Sequence, residues 1–168
     1  GAVFQPLAAH QPRPAQDFRD RVWPGVPYAA HGPRSRLPAP FNDEALASAT
    51  ALAQRYRGRL RFTRGGSERM VRADGADAQS LLDMGLTLQF VDLVQVLPQG
   101  NAFLRALEAE LGLHEGAATM CAFASAPDDG LDRHFDAAEL IAVQLAGTKQ
   151  FHFAPVPEMP LPTGTQYA

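Results

Sequence analysis

From Gly1 to Pro40 the chain holds neither a helical nor a strand period and is rich in Pro, Arg, Ala and Gln. Proline lacks the backbone donor that helix and sheet interiors need, so this stretch reads as an extended surface segment. Trp23, Val26 and Tyr28 are its candidate anchors to the body. Asn42 then reads as an N-cap, with Asp43 and Glu44 in a first turn that favours acidic residues, and the helix runs to about Arg57 before Gly58 stops it. Residues 59–64 alternate as a strand with Leu60 and Phe62 on one face, and Arg64-Gly65-Gly66 turns the chain into a second strand near residues 68–72. A short helix is expected at about 76–83. Residues 87–96 fit strand or helix equally well by period. Asn101 begins a helix to about Leu111, with Phe103, Leu104, Leu107 and Leu111 at core-facing spacing.

Beyond this helix the pattern changes to strands: residues 119–126, a longer run at 133–146, and a third at 149–154. Gly147-Thr148 has the form of a two-residue hairpin between the last two. From Pro155 onward prolines and small residues dominate, and no internal repeat is visible. The expected organisation is an extended segment over 1–40 and a domain over 41–168. Within that domain 41–115 is helical with a small meander, and 117–154 forms the strands of an α+β fold.

Composition changes this picture little. The chain has 168 residues, 46% of them hydrophobic and 20% charged, which suits a single globular domain with a sizeable core. A net charge of -3 supplies no basic field, so neither direct nucleic-acid binding nor attachment to an anionic membrane is expected. No apolar run approaches the roughly 18 residues of a membrane span, and no signal-peptide pattern opens the chain. Cys121 is the sole cysteine; it precludes an intrachain disulfide, suits a reducing, cytoplasmic setting and reads as a small core residue. Lys149 is the sole lysine among arginines, a bias that GC-rich coding explains without explaining Lys149 itself.

Candidate chemistry gathers at residues 134–149. His134 and Asp136 stand two apart at the head of an apolar strand, so both side chains leave one face. Such a pair offers an imidazole nitrogen and a carboxylate oxygen to one metal, the local half of a two-histidine, one-carboxylate site; its everyday alternative is a surface salt link. In the same phase lie Ala138, Leu140, Ala142, Gln144 and Ala146. A two-residue turn at Gly147-Thr148 sets Ala146 opposite Lys149, which puts Lys149 on the His134 face. A buried lysine needs an anion, whereas a lysine at a hairpin corner can equally reach water.

The run His134-Phe135-Asp136, then Leu140-Ile141-Ala142-Val143-Gln144-Leu145-Ala146-Gly147-Thr148-Lys149-Gln150-Phe151, resembles the JmjC-type cupin oxygenases of the ribosomal-oxygenase branch. Phe123-Ala124-Ser125-Ala126-Pro127 and Gly130-Leu131 are similar to the strand and loop that precede the motif there, and the helix with Phe103 and Leu107 to the element upstream; Trp23-Pro24 and His31-Gly32 match loosely. The resemblance is specific over 119–153. It implies a partial double-stranded β-helix (cupin or jelly-roll, JmjC-like) after the helices and meander. It also implies iron(II) held by His134 and Asp136, with 2-oxoglutarate as cosubstrate and its far carboxylate on Lys149. Gln144, on the same face by parity, can hydrogen-bond substrate or cosubstrate and can equally bridge strands. The implied activity is that of a 2-oxoglutarate-dependent dioxygenase, hydroxylating a protein or peptide side chain or a small molecule.

The family's second histidine lies on a later strand, and this chain reaches Ala168 without one there. His152 is three residues from Lys149, so strand alternation turns it to the opposite face. His10, His31 and His114 read as surface residues, Asp128-Asp129-Gly130 as a turn, and the Arg55, Arg57, Arg59 series as a solvated face. A truncated domain, or a homo-oligomer that completes the site, accounts for the missing ligand and the open sheet edge. Two alternatives stay open: a non-catalytic cupin-like binding or dimerisation module, and a cupin metalloenzyme that uses no 2-oxoglutarate.

Overall fold

A computed structural model describes residues 15–64, 67–72, 75–154 and 166–167. Helix α1 (Ala15–Arg21) is followed by three 3-10 turns, Arg34–Arg36, Ala39–Asn42 and Glu44–Leu46, and by helix α2 (Ala49–Arg55). Strands β1 (Arg59–Arg64) and β2 (Ser67–Arg72), helix α3 (Gly75–Asp83), strand β3 (Thr87–Phe90) and helix α4 (Gly100–Leu111) come next. Strand β4 (Ala122–Ala124) joins the first sheet, and β5 (His134–Phe135) pairs with β6 (Gln166–Tyr167). The first sheet is antiparallel, in the order β2-β1-β3-β4. Helices with antiparallel sheet make an α+β architecture. Among the described residues no helix is long and apolar enough to cross a membrane.

Alternation orients this sheet. Leu60 pairs with Phe90, and Phe62 with Leu88; Leu60, Leu88 and Phe90 are fully buried against Leu52, Ala53, Ala78 and Leu104 of the helices. Ala122 and Ala124 of β4 pack on the same core, which leaves Phe123 on the outer face, 44% exposed. Each large apolar side chain withdrawn from water in this way contributes about 1.5–3 kcal/mol.

Tyr56 joins the helices to the sheet. Its ring is buried edge-on against Phe90, 5.2 Å between centroids, and its hydroxyl lies 2.8 Å from the Arg59 carbonyl and 2.5 Å from that of Val91. The one O–H thus reaches both the first residue of β1 and the residue just after β3. Glycine at 58 allows this approach, because a Cβ there falls 2.6 Å from the Tyr56 ring and from the Gln95 side chain.

Helix boundaries depart from the expectation for local reasons. Asp43, not Asn42, does the first capping, accepting from the Ala45 amide at 2.8 Å across a 3-10 turn. Ser48 then N-caps α2, accepting from the Ala51 amide at 3.0 Å, so the expected long helix is two shorter pieces. Asn42 instead donates to the Leu37 carbonyl. The helix ends at Arg55 because Tyr56 turns extended to bury its ring. Helix α4 starts at Gly100, so Asn101 falls inside its first turn; Leu104 and Leu107 are buried, and Phe103 and Leu111 half-buried, as their spacing requires. Residues 87–96 divide into β3 and a 3-10 turn at Leu93–Gln95.

The N-terminal segment is less extended than its prolines suggest. Phe18 of α1 packs with Leu107 of α4 and meets the Tyr28 ring edge-on at 5.2 Å, and Arg19 donates to the Glu110 carbonyl. Val22 is the buried anchor there, Trp23 and Tyr28 are partly buried, and Val26 is exposed. Cys121 is exposed, not in the core. The expected turn at Gly65-Gly66, the residues before Ala15 and the proline-rich stretch after Ala154 lie outside the described residues.

The largest departure concerns 133–154. Only His134–Phe135 enters a ladder there, and residues 136–154 form neither helix nor strand. A strand is held by hydrogen bonds to a neighbour, and among the described residues no strand pairs with this run; Leu140 is 72% exposed. The expected hairpin is reduced to a bend at Ala146-Gly147, where Gly147 takes a left-handed φ of 69°.

Burial, with the nearby Asp92 charge adding to it, pushes the Tyr56 phenol above its ordinary pKa, against a smaller opposing effect of Arg59. The native state therefore holds this proton more tightly than the unfolded chain. Its contribution is complete below the unfolded phenol value of about 10 and is lost as pH rises through the folded one. In urea unfolding followed from pH 8 to 11, the wild-type midpoint is expected to fall more steeply above about pH 10 than that of Tyr56→Phe. At neutral pH the variant loses about 1 kcal/mol.

Candidate functional site

His134 lies in β5, where its backbone pairs with Tyr167, and Asp136 follows just beyond the strand. Alternation places the two side chains together: His134 Nε2 is 3.6 Å from Asp136 Oδ2. Both are largely enclosed, with side-chain exposures of 22% and 26%. The other ring nitrogen, Nδ1, is 2.6 Å from the Asp132 carbonyl oxygen. A carbonyl can only accept, so Nδ1 carries the proton in this bond.

That assignment decides the chemistry at Nε2. In a neutral ring with Nδ1 protonated, Nε2 presents a lone pair, and a carboxylate oxygen 3.6 Å away presents another. Two acceptors at this distance can share a proton or a cation. The arrangement suits a cation. Donors about 2.0–2.2 Å from one ion lie no more than roughly 4.4 Å apart. A backbone carbonyl on the far ring nitrogen is also the usual device that orients a metal-binding histidine. Asp132 contributes this through its main chain, and nothing in its residue type signals the role.

The other expected residues are placed differently. Gln144 is exposed and donates to the Ala146 carbonyl at 2.8 Å, across the bend. Lys149 makes no ion pair with Asp136 among the described residues. Its ammonium stands over two aromatic rings, 5.3 Å from the centroid of Phe123 and 5.5 Å from that of Phe151, within cation–π range. Phe151 in turn stacks on Phe153, with 6.0 Å between centroids and 8° between planes. Ala138, Ala142 and Ala146 are exposed, whereas Val143 and Leu145 are half-buried and Leu145 packs on the core. The face that carries Gln144 thus opens to solvent and the alternate face meets the body.

Sequence reasoning missed the pairing of Lys149 with Phe123. The signal for Phe151 was legible, since residues 149 and 151 share strand parity. Phe123 lies on a separate element, and only the fold brings it near. Elsewhere, Thr87 donates to the Asp129 carboxylate at 2.7 Å, which pins the loop after β4 to β3. His31, His114 and His152 are exposed, and His10 lies outside the described residues. Among the described residues no group of three or more His, Cys, Asp or Glu side chains converges on a common point.

No protein-family model matches this chain, and no curated protein matches it.

A two-donor centre binds divalent metal through both groups or loses most of its affinity. Titration with Mn(II) is expected to give saturable binding, weakened by more than about tenfold in either His134→Ala or Asp136→Asn, since even second-sphere changes cost that much at metal sites. Equal affinity in the wild type and both variants contradicts this assignment.

Proposed function

We propose that this chain carries the iron site of an iron(II)- and 2-oxoglutarate-dependent hydroxylase of the JmjC-like cupin type. The observation that carries this reading is the convergence of His134 Nε2 on the Asp136 carboxylate, with Nδ1 fixed by the Asp132 carbonyl. The resemblance of residues 119–153 to that family, carried by the same His134-Phe135-Asp136 motif, supports the reading.

On this reading His134 and Asp136 would hold the iron, and a further protein ligand would come from outside the described residues. Iron and 2-oxoglutarate together supply oxygen activation: O2 is consumed, 2-oxoglutarate is oxidised to succinate and CO2, and a substrate C–H becomes C–OH. The chain's own groups bind and orient. Lys149 would supply positive charge for the far carboxylate of 2-oxoglutarate, and Gln144 would add a hydrogen bond on leaving the Ala146 carbonyl. The exposure of the Gln144 face leaves room for a bulky substrate, which favours a protein or peptide side chain over a small molecule. Exposed Leu140, Phe151 and Phe153 support self-association as a homo-oligomer. The proposed setting is cytoplasmic, where Cys121 stays reduced.

Incubation with Fe(II), ascorbate, oxygen and 2-oxoglutarate is expected to release succinate. His134→Ala and Asp136→Ala abolish the release, and Lys149→Ala raises the 2-oxoglutarate concentration required by about tenfold or more, the scale of losing a charge-assisted hydrogen bond. A folded chain that binds metal yet forms no iron-dependent succinate overturns the oxygenase assignment.

A further inference from the structure

The net charge of -3 conceals a sharp separation of charge along the chain. Seven of the 15 lysines and arginines lie between Arg55 and Arg72, where Glu68 is the lone acidic residue, whereas residues 73–168 hold 13 acidic residues and three basic ones. Overall charge, which argues against a nucleic-acid partner, averages over this separation. The basic stretch includes the β1–β2 hairpin, so its charge gathers at one end of the four-stranded sheet.

Register carries the pattern across the other strands. Helices cover one sheet face, that of Leu60, Leu88 and Phe90. On the opposite face Arg61 pairs with Gln89, and Gln89 with Phe123, so a guanidinium, an amide and an aromatic ring form one row across three strands. Exposed Arg59 lies two residues before Arg61, about 7 Å along the same face. The ladder sets Arg59 opposite Arg72, and like charges directly opposite one another are destabilising, which a bound anion relieves. At the other end of the row the Lys149 ammonium stands 5.3 Å from the Phe123 centroid. It links that ring to the stacked pair Phe151 and Phe153, of which Phe153 is 71% exposed. Exposed rings among cations are unfavourable on a merely solvated face, and they are the surface on which unpaired bases stack.

We propose that this face of the sheet binds single-stranded nucleic acid, with Arg59, Arg61 and Lys149 contacting phosphates and Phe123 and Phe153 stacking on bases. The row favours that ligand over an acidic peptide, because peptide carboxylates engage the cations and leave the rings unused. It favours a single strand over a duplex, whose bases are stacked on one another and closed to the rings. The acidic remainder of the chain repels phosphate elsewhere, so binding is confined to this face and weakens with salt. The proposal does not depend on the oxygenase reading.

Fluorescence anisotropy of labelled oligouridylate and oligothymidylate of about 12 residues, a length within the footprint of such surfaces, tests it. Saturable binding is expected at low salt, with log K falling against log[salt] at a slope of about -2 for the three phosphate contacts. Arg59→Ala reduces the steepness of that slope by about 0.7, whereas Phe123→Leu and Phe153→Leu weaken binding about tenfold and leave the slope unchanged. Arg21→Ala, on α1 and outside the sheet, changes neither, and circular dichroism is the same in all four variants. A duplex of the same length binds about tenfold more weakly than the single strand. Binding of either single strand supports the proposal, and the tighter of the two tells RNA from DNA. Absence of saturable binding at low salt overturns it. Binding that Arg59→Ala, Phe123→Leu and Phe153→Leu all leave unchanged places the contact elsewhere and overturns it too. Equal binding of the duplex, or displacement of the strand by polyglutamate of matched charge, shows a surface that reads charge alone and overturns the assignment to single strands.

Discussion

Tyr56 holds the helical layer to the sheet, and the sheet edge on which Lys149 rests follows from that junction. Its buried ring meets Phe90 edge-on, and its hydroxyl serves the carbonyls of Arg59 and Val91, where β1 begins and β3 has just ended. β1 and β3 are thereby fixed against the core, β3 receives β4, and alternation along β4 sends Ala122 and Ala124 inward and Phe123 outward. Phe123 is the surface on which Lys149 rests. A sequence of ordinary packing constraints thus ends in the placement of one cation. The Thr87–Asp129 hydrogen bond anchors the loop that leads on toward His134.

Much of the first half was legible because its signals are local. Leu60 and Phe62 alternate in β1, and Leu104, Leu107 and Leu111 recur at helical spacing in α4; both elements formed with those faces turned to the core. Errors there came from competition between nearby caps. Asp43 and Ser48 each claimed a helix start, and the two claims divided what the apolar pattern presented as one helix. Tyr56 ended α2 early for a reason that only the tertiary structure supplies. Cys121 was misplaced in the core because its residue type favours burial, while its position just ahead of the edge strand exposes it.

The second half was harder to read because strands depend on partners. The run 133–146 has the apolar, β-branched character of a strand, but a ladder needs a neighbour, and β5 extends only across His134–Phe135. The contact within the candidate site was nevertheless foreseeable, since the separation of His134 from Asp136 is a property of two-residue alternation and survives the loss of the longer strand. The placement of Lys149 depended on a full hairpin and did not follow from it. Its actual neighbours, Phe123 and Phe151, are set by the sheet edge and by the parity of residues 149 and 151.

The account centres on one electrostatic fact. A histidine whose Nδ1 faces the Asp132 carbonyl turns its other nitrogen toward a carboxylate, a juxtaposition that a cation fits. Electron spin-echo spectroscopy of the Mn(II)-loaded chain reads this directly, through the modulation produced by an imidazole nitrogen bound to the metal. The account predicts modulation from one histidine nitrogen in the wild type, absent in His134→Ala and unchanged in His152→Ala. Bound Mn(II) without nitrogen modulation, or modulation that persists in His134→Ala, contradicts it.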